Sequence, residues 1–297
     1  MISVIIPTYN RQSLLLCTLN SLLGQTGKIP IQIIVVDDGS SDGTKELVNQ
    51  FKSNHNRNSF KVEYTYQEDK GFRVAAARNK GINLAIYDLI VFVDTGVYLF
   101  PDTLSTLIHN HKAASVTLGN LYGFDEQGSD TISELDRKLC LRATDQFIYE
   151  KRYDKYPDTR VAMLSQYNLP LEQLPAAWIY GWTAMLAIPT TIAKQVGGFD
   201  ESFNSWGGED VEFCLRVQLL GTKIRFMNAF KAIHIPHPAD LTGREKSSKK
   251  NLEYIHKKHQ RRSTQLLLHS RFKYVNSTLL DEGGDYPLNS SREKNHV

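Results

Sequence analysis

The chain contains 297 residues, which is enough for one large domain or two small ones. Hydrophobic residues make up 41% and charged residues 23%, the proportions of an ordinary globular protein. The formal net charge of +3 is too small to indicate a nucleic-acid partner. No signal-peptide pattern is visible at the N-terminus, and no stretch approaches the about 20 apolar residues that a membrane-spanning helix needs. We therefore expect a cytoplasmic protein.

Two further features concern the cysteines and a local excess of positive charge. Cys17, Cys140 and Cys214 lie far apart, without a Cys-x-x-Cys pair or metal-finger spacing, so we expect buried thiols in a reducing compartment. Residues 244–262 are rich in Lys and Arg. We interpret this segment as a solvated helix face, and peripheral contact with an anionic membrane surface or polymer is the alternative.

Short apolar segments alternate with amphipathic segments in the first hundred residues. The apolar segments are typical of buried strands, and the periodic segments between them are typical of helices. Strands buried on both faces and alternating with helices imply a parallel sheet with right-handed crossovers. In chain order we predict a strand at 3–6, a helix at 13–23, a strand at 31–36, a helix at 42–51, a strand at 62–66, a helix at 74–86 and a strand at 89–93.

Polar side chains follow three of these predicted strands at the point where each strand ends. In open sheets of this kind, ligands bind beyond the carboxyl ends of the strands. Turn chemistry accounts for some of the acids, but three strand ends that converge on one edge indicate a binding site. The side chains are those of Thr8, Tyr9, Asn10, Asp37, Asp38 and Asp94.

The second half of the chain is less regular than the first. Residues 123–175 show no clear period, with some helix expected around 133–151, and we expect this stretch to shape an acceptor site. An apolar run at 177–188 is predicted to rejoin the sheet. The chain then becomes polar, with one helix expected around 245–268 and a poorly ordered tail over the last dozen residues.

The stretch Trp206-Gly207-Gly208-Glu209-Asp210 is the most informative part of the chain. The two glycines permit close approach of backbone and ligand, and the ring of Trp206 offers a flat apolar face to a sugar. Glu209 and Asp210 stand at the start of a predicted helix, where one can act as a base and the other can hold a hydroxyl. The helix macrodipole alone also favours acids in a first turn, so the stretch indicates a catalytic site only together with the rest of the chain.

Five motifs occur in order along the chain. The first half contains four of them: Val4-Ile5-Ile6-Pro7-Thr8-Tyr9-Asn10, Val35-Val36-Asp37-Asp38-Gly39-Ser40, Gly71-Phe72-Arg73 through Ala75-Ala76-Ala77-Arg78-Asn79, and Val91-Phe92-Val93-Asp94. With these motifs, the first half resembles the nucleotide-binding half of family 2 glycosyltransferases with the GT-A fold. The fifth motif, the segment from Gly197 to Asp210, is similar to the carboxyl-terminal domain shared by β-1,4-galactosyltransferases and chondroitin-polymerase modules.

The resemblance covers roughly residues 1–120 and 177–237 and implies a fold and a domain organisation. The implied fold is α/β of the GT-A type, with a Rossmann-like nucleotide-binding half and a mixed central sheet flanked by helices. We expect a single catalytic domain at 1–240, divided into a nucleotide-sugar-binding half at 1–120 and an acceptor and catalytic half at 121–240. A basic helical extension with a flexible tail would follow at 241–297.

The resemblance also implies a UDP-sugar donor and assigns roles to individual positions. Tyr9 and Asp38 would hold the uracil base, with Asp38 accepting a hydrogen bond from its N–H. Arg73 and Arg78 would lie near the nucleotide and compensate its phosphate charge. The other donor-site positions that it implies are Pro7, Thr8, Asp94, Thr95, Trp206 and Gly207.

The metal-binding motif departs from the family pattern. The family has Asp-x-Asp, but this chain has Asp94-Thr95-Gly96, without the last acid. Hard divalent cations take oxygen ligands, so the loss of this carboxylate would weaken the site. His234 and His237 stand where galactosyltransferase-like relatives supply a histidine ligand. Asp94 with either histidine and the diphosphate could still hold Mn²⁺ or Mg²⁺; neutralisation by cationic side chains and loss of catalysis are the alternatives.

Asp210 matches the general base of inverting members of the family, and Glu209 matches the residue that holds the acceptor. The implied function is an inverting transfer of a hexose or N-acetylhexosamine from a UDP-sugar to a carbohydrate or glycoconjugate acceptor, in polysaccharide or glycoconjugate biosynthesis. A retaining transferase of the GalNAc-transferase kind is one alternative, against which Asp210 argues. A nucleotide-sugar-binding subunit without activity is a second, favoured by Gly96. A nucleotidyltransferase would need a Gly-rich phosphate loop after the first strand, which is absent from the sequence.

Overall fold

The computed structural model describes residues 1–25, 29–123, 138, 144–237, 241–269 and 272–288. Within these ranges, eight strands form one sheet in the order β3-β2-β1-β4-β7-β6-β8-β5. The strands are β1 (Ile2–Thr8), β2 (Ile31–Asp37), β3 (Phe60–Tyr66), β4 (Leu89–Val93), β5 (Val97–Leu99), β6 (Ser115–Tyr122), β7 (Met185–Pro189) and β8 (Lys223–His234).

Helices connect the strands and continue beyond them. Short 3₁₀ helices lie at Arg152–Lys155, Leu171–Gln173, Ala177–Tyr180 and Phe272–Tyr274. The α-helices are α1 (Gln12–Leu23), α2 (Thr44–His55), α3 (Val74–Leu84), α4 (Thr103–Asn110), α5 (Thr144–Tyr149), α6 (Thr159–Ser165), α7 (Thr190–Gln195), α8 (Glu209–Leu219), α9 (Leu241–His259), α10 (Arg262–His269) and α11 (Val275–Asp281).

The pairing of the strands divides the sheet into two parts. β3, β2, β1 and β4 are parallel, as the alternation of strands and helices predicts. β7 is antiparallel to β4 and to β6, whereas β6 and β8 pair in parallel. The predicted mixed central sheet is therefore confirmed, with the Rossmann-like part at the N-terminal end of the chain.

Each face of the sheet carries its own layer of helices. Alternate residues of β1 contribute to the two layers, with Ile5 on one face and Val4 and Ile6 on the other. Leucines of α1 and α4 and apolar residues of α2 cover one face, while α3, α8, α9 and α10 cover the other. Because both faces are covered, all seven residues of β1 and of β2 are buried, which explains their continuous apolar character.

Two expectations for the second half need correction. The run at 177–188 contains a 3₁₀ helix at Ala177–Tyr180, and only Met185–Pro189 enters the sheet. The single helix expected around 245–268 is two helices, because Gln260 takes a left-handed conformation (φ +46°) between α9 and α10. Of the helix expected around 133–151, residues 138 and 144–151 are described, with α5 among them; the remainder, like Cys140 and most of the predicted flexible tail, lies outside the described residues.

The basic segment forms most of helix α9, which has one exposed face and one packed face. α9 packs Ile255 into the core beside α8, and Asn251 of the same helix is buried. The lysines Lys249, Lys250 and Lys257 stay exposed. None of the described helices is both long and apolar enough to cross a membrane.

Candidate active site

The carboxyl ends of β1 and β2 hold one acidic side chain in a fixed position. The parallel register places Thr8 beside Asp37, and Asp38 follows directly. Asp38 is only 7% exposed, and its carboxylate accepts hydrogen bonds from Gln67 Nε2 (2.6 Å) and from the backbone N–H of Arg73 (2.9 Å). Two donors from the loop between β3 and α3 therefore orient this carboxylate at the edge where sheets of this kind bind ligands.

Neighbouring residues of the first strand complete this edge. Tyr9 is 46% exposed, and its hydroxyl donates to Asp69 (2.9 Å), a bond that raises the pKa of Tyr9. The carbonyl of Pro7 accepts from the buried Thr95 hydroxyl (2.9 Å). The buried Oγ1 of Thr8 has no hydrogen-bond partner among the described residues. The predicted donor-site positions of β1 and of the β4 end therefore lie together.

The two arginines expected near the phosphates lie in different environments. Arg73 precedes α3, and its guanidinium donates to the carbonyl of Glu68. Arg78 has a side chain that is only 4% exposed, and it joins Asp94 (3.0 Å) to Glu209 (2.9 Å). Burial would lower the pKa of Arg78, but these two carboxylates raise it. Its two terminal nitrogens bind these carboxylates, while its buried Nε has no hydrogen-bond partner among the described residues, so the expected phosphate contact of Arg78 stays a prediction.

Glu209 and Asp210 begin helix α8, directly after two glycines with positive φ. Burial, followed by the neighbouring charge of Glu209, raises the pKa of Asp210 to about 7. Its Oδ1 accepts from the N–H of Val211 (2.8 Å). The buried Oε2 of Glu209 has no hydrogen-bond partner in the described part of the chain. A carboxylate with a pKa near neutrality can exchange protons at neutral pH, which is the requirement for a general base.

Trp206 lies on the surface before these acids and is 41% exposed. The guanidinium of Arg244, from α9, is positioned 4.7 Å from the centroid of its ring. The backbone carbonyl of Trp206 accepts from the hydroxyl of Ser247 (2.6 Å), also on α9. Arg244 therefore lies over the Trp206 ring, which the family resemblance places near the donor sugar.

The predicted metal ligands lie in one neighbourhood. β5 pairs antiparallel with β8, which places His234 opposite Val97, three residues beyond Asp94. Burial and the neighbouring His237 lower the pKa of His234 to about 3, so its imidazole is neutral at neutral pH. His237 Nε2 lies 2.6 Å from Arg11 Nη1.

No group of three or more His, Cys, Asp or Glu side chains able to hold a metal occurs within the described ranges. Asp94 and His234 offer a carboxylate and a neutral imidazole, and the charge of Asp94 acts on His234. Magnesium sites often combine one or two carboxylates with substrate phosphates. The residues present therefore fit a cation that shares its ligands with a diphosphate, and they do not form a complete site alone.

Gly96 explains why the second acid of the motif is missing from this backbone. Gly96 has a φ of +97°, and its N–H donates a hydrogen bond to Thr18 Oγ1 (3.0 Å). L-residues rarely adopt this conformation. An aspartate at this position would be strained, so this backbone favours glycine.

The contact between α8 and α9 involves residues to which the sequence analysis assigns no role. Glu212, buried on α8, binds Arg216 (2.8 Å), Lys258 (2.8 Å) and His259 (2.9 Å). Burial alone would raise the pKa of Glu212, but hydrogen bonds from His259, Arg216 and Lys258 lower it to about 2. Asn251 contacts the loop before α8. Each of these residues is a polar residue on the packed face of α8 or α9. Sequence reasoning can identify that face only when the positions of both helices are known.

Comparison with known proteins agrees with this geometry. Residues 3–170 match the model of glycosyl transferase family 2, and residues 171–238 match a model described as the N-terminal domain of galactosyltransferase. Validoxylamine A glucosyltransferase of Streptomyces hygroscopicus subsp. jinggangensis is 31% identical over 268 residues, covering 87% of this chain and 61% of that protein. Hyaluronan synthase of Pasteurella multocida is 28% identical over 264 residues, covering 84% of this chain and 26% of that protein. The chain thus spans less than two thirds of these relatives.

Solved structures show the same fold. TarS 1–349 of S. aureus, solved in complex with UDP-GlcNAc, has a TM-score of 0.63 at 18% identity, over 94% of this chain and 75% of that one. Mannosyltransferase PcManGT from Pyrobaculum calidifontis, solved with GDP-Man and Mn²⁺, has a TM-score of 0.56 at 16% identity, over 86% and 63%. The fold is that of GT-A glycosyltransferases. The family model covers more than half of the chain, and the chain therefore belongs to the family 2 glycosyltransferases.

Proposed function

We propose that this protein transfers a hexose or N-acetylhexosamine from a UDP-sugar to a hydroxyl of a carbohydrate or glycoconjugate, with inversion at the anomeric carbon. The observation that carries the proposal is the Asp210 carboxyl group, whose pKa is raised to about 7 beside Glu209. The similarity to a glucosyltransferase, and to a synthase of the polysaccharide hyaluronan, supports this substrate class. We place the enzyme in polysaccharide or glycoconjugate biosynthesis.

Asp210 acts as the general base in this proposal. It takes the proton of the acceptor hydroxyl while that oxygen attacks the anomeric carbon from the face opposite the nucleotide. The bond from the anomeric carbon to the phosphate oxygen breaks, and UDP leaves with the electron pair. Glu209 orients the acceptor hydroxyl, because its Oε2 has no hydrogen-bond partner among the described residues. Base catalysis of this kind contributes about 10²–10⁴-fold.

The edge formed by β1, β2 and β4 holds the donor. Asp38 accepts the N–H of uracil, since its two fixed donors leave further lone pairs on each oxygen. The exposed ring of Tyr9 covers the base. Trp206 and Gly207 border the sugar. Arg78 connects the donor-side Asp94 to the acceptor-side Glu209.

Asp94 and His234 would hold a divalent cation, Mn²⁺ or Mg²⁺, together with the diphosphate. The cation would supply Lewis-acid stabilisation of the leaving phosphate charge. Asp94 would supply the carboxylate ligand, and His234 would supply a neutral imidazole because its pKa is lowered to about 3. His237 contributes less, because its Nε2 contacts Arg11.

Binding and product analysis with purified protein test this function. UDP, GDP and dTDP, and the UDP derivatives of glucose, galactose, N-acetylglucosamine and N-acetylgalactosamine, are screened by thermal shift with and without Mn²⁺. We expect the uridine nucleotides to raise the melting temperature most. With a donor and an acceptor oligosaccharide, NMR should show an inverted anomeric configuration. A preference for GDP or dTDP, or retention of configuration, would contradict the proposal.

Chelation tests the cation separately. Excess EDTA should lower turnover, and His234→Ala should reduce the Mn²⁺ dependence more than His237→Ala does. Unchanged activity in EDTA, with both substitutions silent, would remove Asp94 and His234 as ligands while leaving the transfer reaction intact.

A further inference from the structure

Helix α9 lies beyond the residues that either family model matches, 3–170 and 171–238, yet it contacts the loop before the catalytic helix. Asn251, in the middle of α9, is only 6% exposed. Its side-chain amide donates to the carbonyls of Gly207 (2.6 Å), Ser205 (3.2 Å) and Trp206 (3.2 Å). The hydroxyl of Ser205 donates to its Oδ1 (3.3 Å). One buried side chain on α9 thus binds three consecutive residues of the loop.

The loop at 203–208 needs such contacts because its backbone is irregular. Gly207 and Gly208 have φ values of +88° and +100°, which turn the chain sharply into α8. Consecutive carbonyls in a turn of this kind have no strand or helix partners, and an unpaired buried carbonyl destabilises the folded state. The side-chain amide of Asn251 donates the hydrogen bonds that these carbonyls lack within the loop.

The contact between Asn251 and the loop is part of a larger interface between α9 and the active site. At one end of α9, Ser247 donates to the Trp206 carbonyl (2.6 Å), and Arg244 lies over the Trp206 ring. At the other end, Lys258 and His259 bind the buried Glu212 of α8. The middle of α9 therefore controls the position of the loop, and its C-terminal end anchors α8.

We propose that Asn251 is a positioning residue for glycosyl transfer. By holding the carbonyls of residues 205–207, it sets the Trp206 ring against the donor sugar and sets the first turn of α8, which carries Asp210. This assignment rests on the proposed function. It differs from a purely structural role in one respect: recognition of the sugar part of the donor depends on Asn251, whereas recognition of the uridine part does not.

The assignment predicts a selective loss of sugar recognition. The uridine edge at Tyr9 and Asp38 lies on other strands and loops, so Asn251→Ala should change the Kd of UDP by less than about twofold. The Kd of the UDP-sugar should rise about tenfold, the scale expected for losing neutral hydrogen bonds that fix a contact surface. The kcat should fall as well, because the first turn of α8 is no longer held in place.

Four variants separate positioning from folding. Asn251→Ala removes the amide, and Asn251→Asp keeps its size but replaces the donor with a charged acceptor that repels the three carbonyls. Ser247→Ala removes only the neighbouring bond to Trp206 and covers the case in which the Asn251 variants do not fold. Lys250→Ala, an exposed neighbour on α9, is the matched control.

The experiment is calorimetric titration of each variant with UDP and with the one of the four screened UDP-sugars that the wild-type protein binds most tightly, together with kcat and KM. We expect Asn251→Asp to show the largest rise in the ratio of the two Kd values, Asn251→Ala and then Ser247→Ala smaller rises, and Lys250→Ala none. Equal weakening of UDP binding and UDP-sugar binding, or a lowered melting temperature with an unchanged ratio of the two Kd values, would overturn the positioning role of Asn251. The proposed function would not be affected by this result. A wild-type protein that binds neither ligand overturns the proposed function, and the assignment with it.

Discussion

The donor edge of the sheet and the loop at 203–208 are both parts of the candidate site, but the chain holds them in different ways. At the donor edge, Asp38 follows a buried strand and binds two groups of the loop between β3 and α3. The loop at 203–208 is irregular and is held by Asn251, which lies more than 40 residues further along the chain. A site element at the end of a parallel strand needs little external support, whereas an irregular loop takes its geometry from whatever packs on it.

Arg78 is where the two regions meet, and the largest effect is expected there. Arg78→Met should lower the free energy of unfolding by about 3–5 kcal/mol, because it leaves the buried carboxylate of Glu209 and the partly exposed carboxylate of Asp94 without a counter-charge. Urea unfolding measures this effect. The control is Lys61→Met at an exposed position of β3. A loss below about 1 kcal/mol would mean that the two regions are joined in another way.

Substitution of the base separates chemistry from binding in the second region. Asp210→Asn should lower kcat by about 10²-fold or more while the Kd of the donor stays nearly constant, because a proton acceptor is used only in the transition state. Stopped-time transfer assays and donor titration measure the two quantities. Glu253→Gln, at an exposed position of α9, is the control. A wild-type kcat in Asp210→Asn would leave only a nucleotide-sugar-binding protein of this fold.

The pH dependence of turnover tests the same carboxyl group without mutation. Since the pKa of Asp210 is raised to about 7, kcat/KM should fall about tenfold for each pH unit below 7 and level off above it. Between about pH 4 and pH 7, the folded protein keeps a proton that the unfolded chain releases, so the contribution of this group to stability is lost as pH rises through 7. A flat profile of kcat/KM between pH 5 and pH 8 would argue against Asp210 as the base.

The smallest effect concerns the two glycines of the loop, which form a matched pair. Each has a positive φ, so replacement by alanine should cost about 1–2 kcal/mol from backbone strain in either case. A Cβ on Gly208 would also lie 3.2–3.3 Å from atoms of Phe203, Asn251 and Ile255, whereas on Gly207 its nearest neighbour, Ser248, is 3.7 Å away. Gly208→Ala should therefore be the more destabilising substitution in thermal unfolding. Equal losses would show that α9 packs less tightly on the loop.

Much of the first region is predictable from sequence because its interactions are local in the chain. The apolar runs of β1 and β2 predict buried parallel strands, and the position of Asp38 at a strand end predicts its place on the ligand edge. The contacts of Arg78 and the packed face of the basic segment at 244–262 could not be predicted in this way. Each depends on a partner that is distant in sequence: Asp94 and Glu209 for Arg78, and the loop at 203–208 for α9.

The sequence by itself determined the alternation of strands and helices, the polar strand ends and the acidic pair Glu209 and Asp210, since period, turn chemistry and residue type are local properties. Only the tertiary structure decided which of these groups meet. The pairing of β5 with β8 brings His234 beside the loop at 94–97, and the packing of α9 on α8 brings Asn251 to the turn before α8. Contacts between segments distant in the chain depend on how the whole core is packed, and no short pattern of residues records that packing.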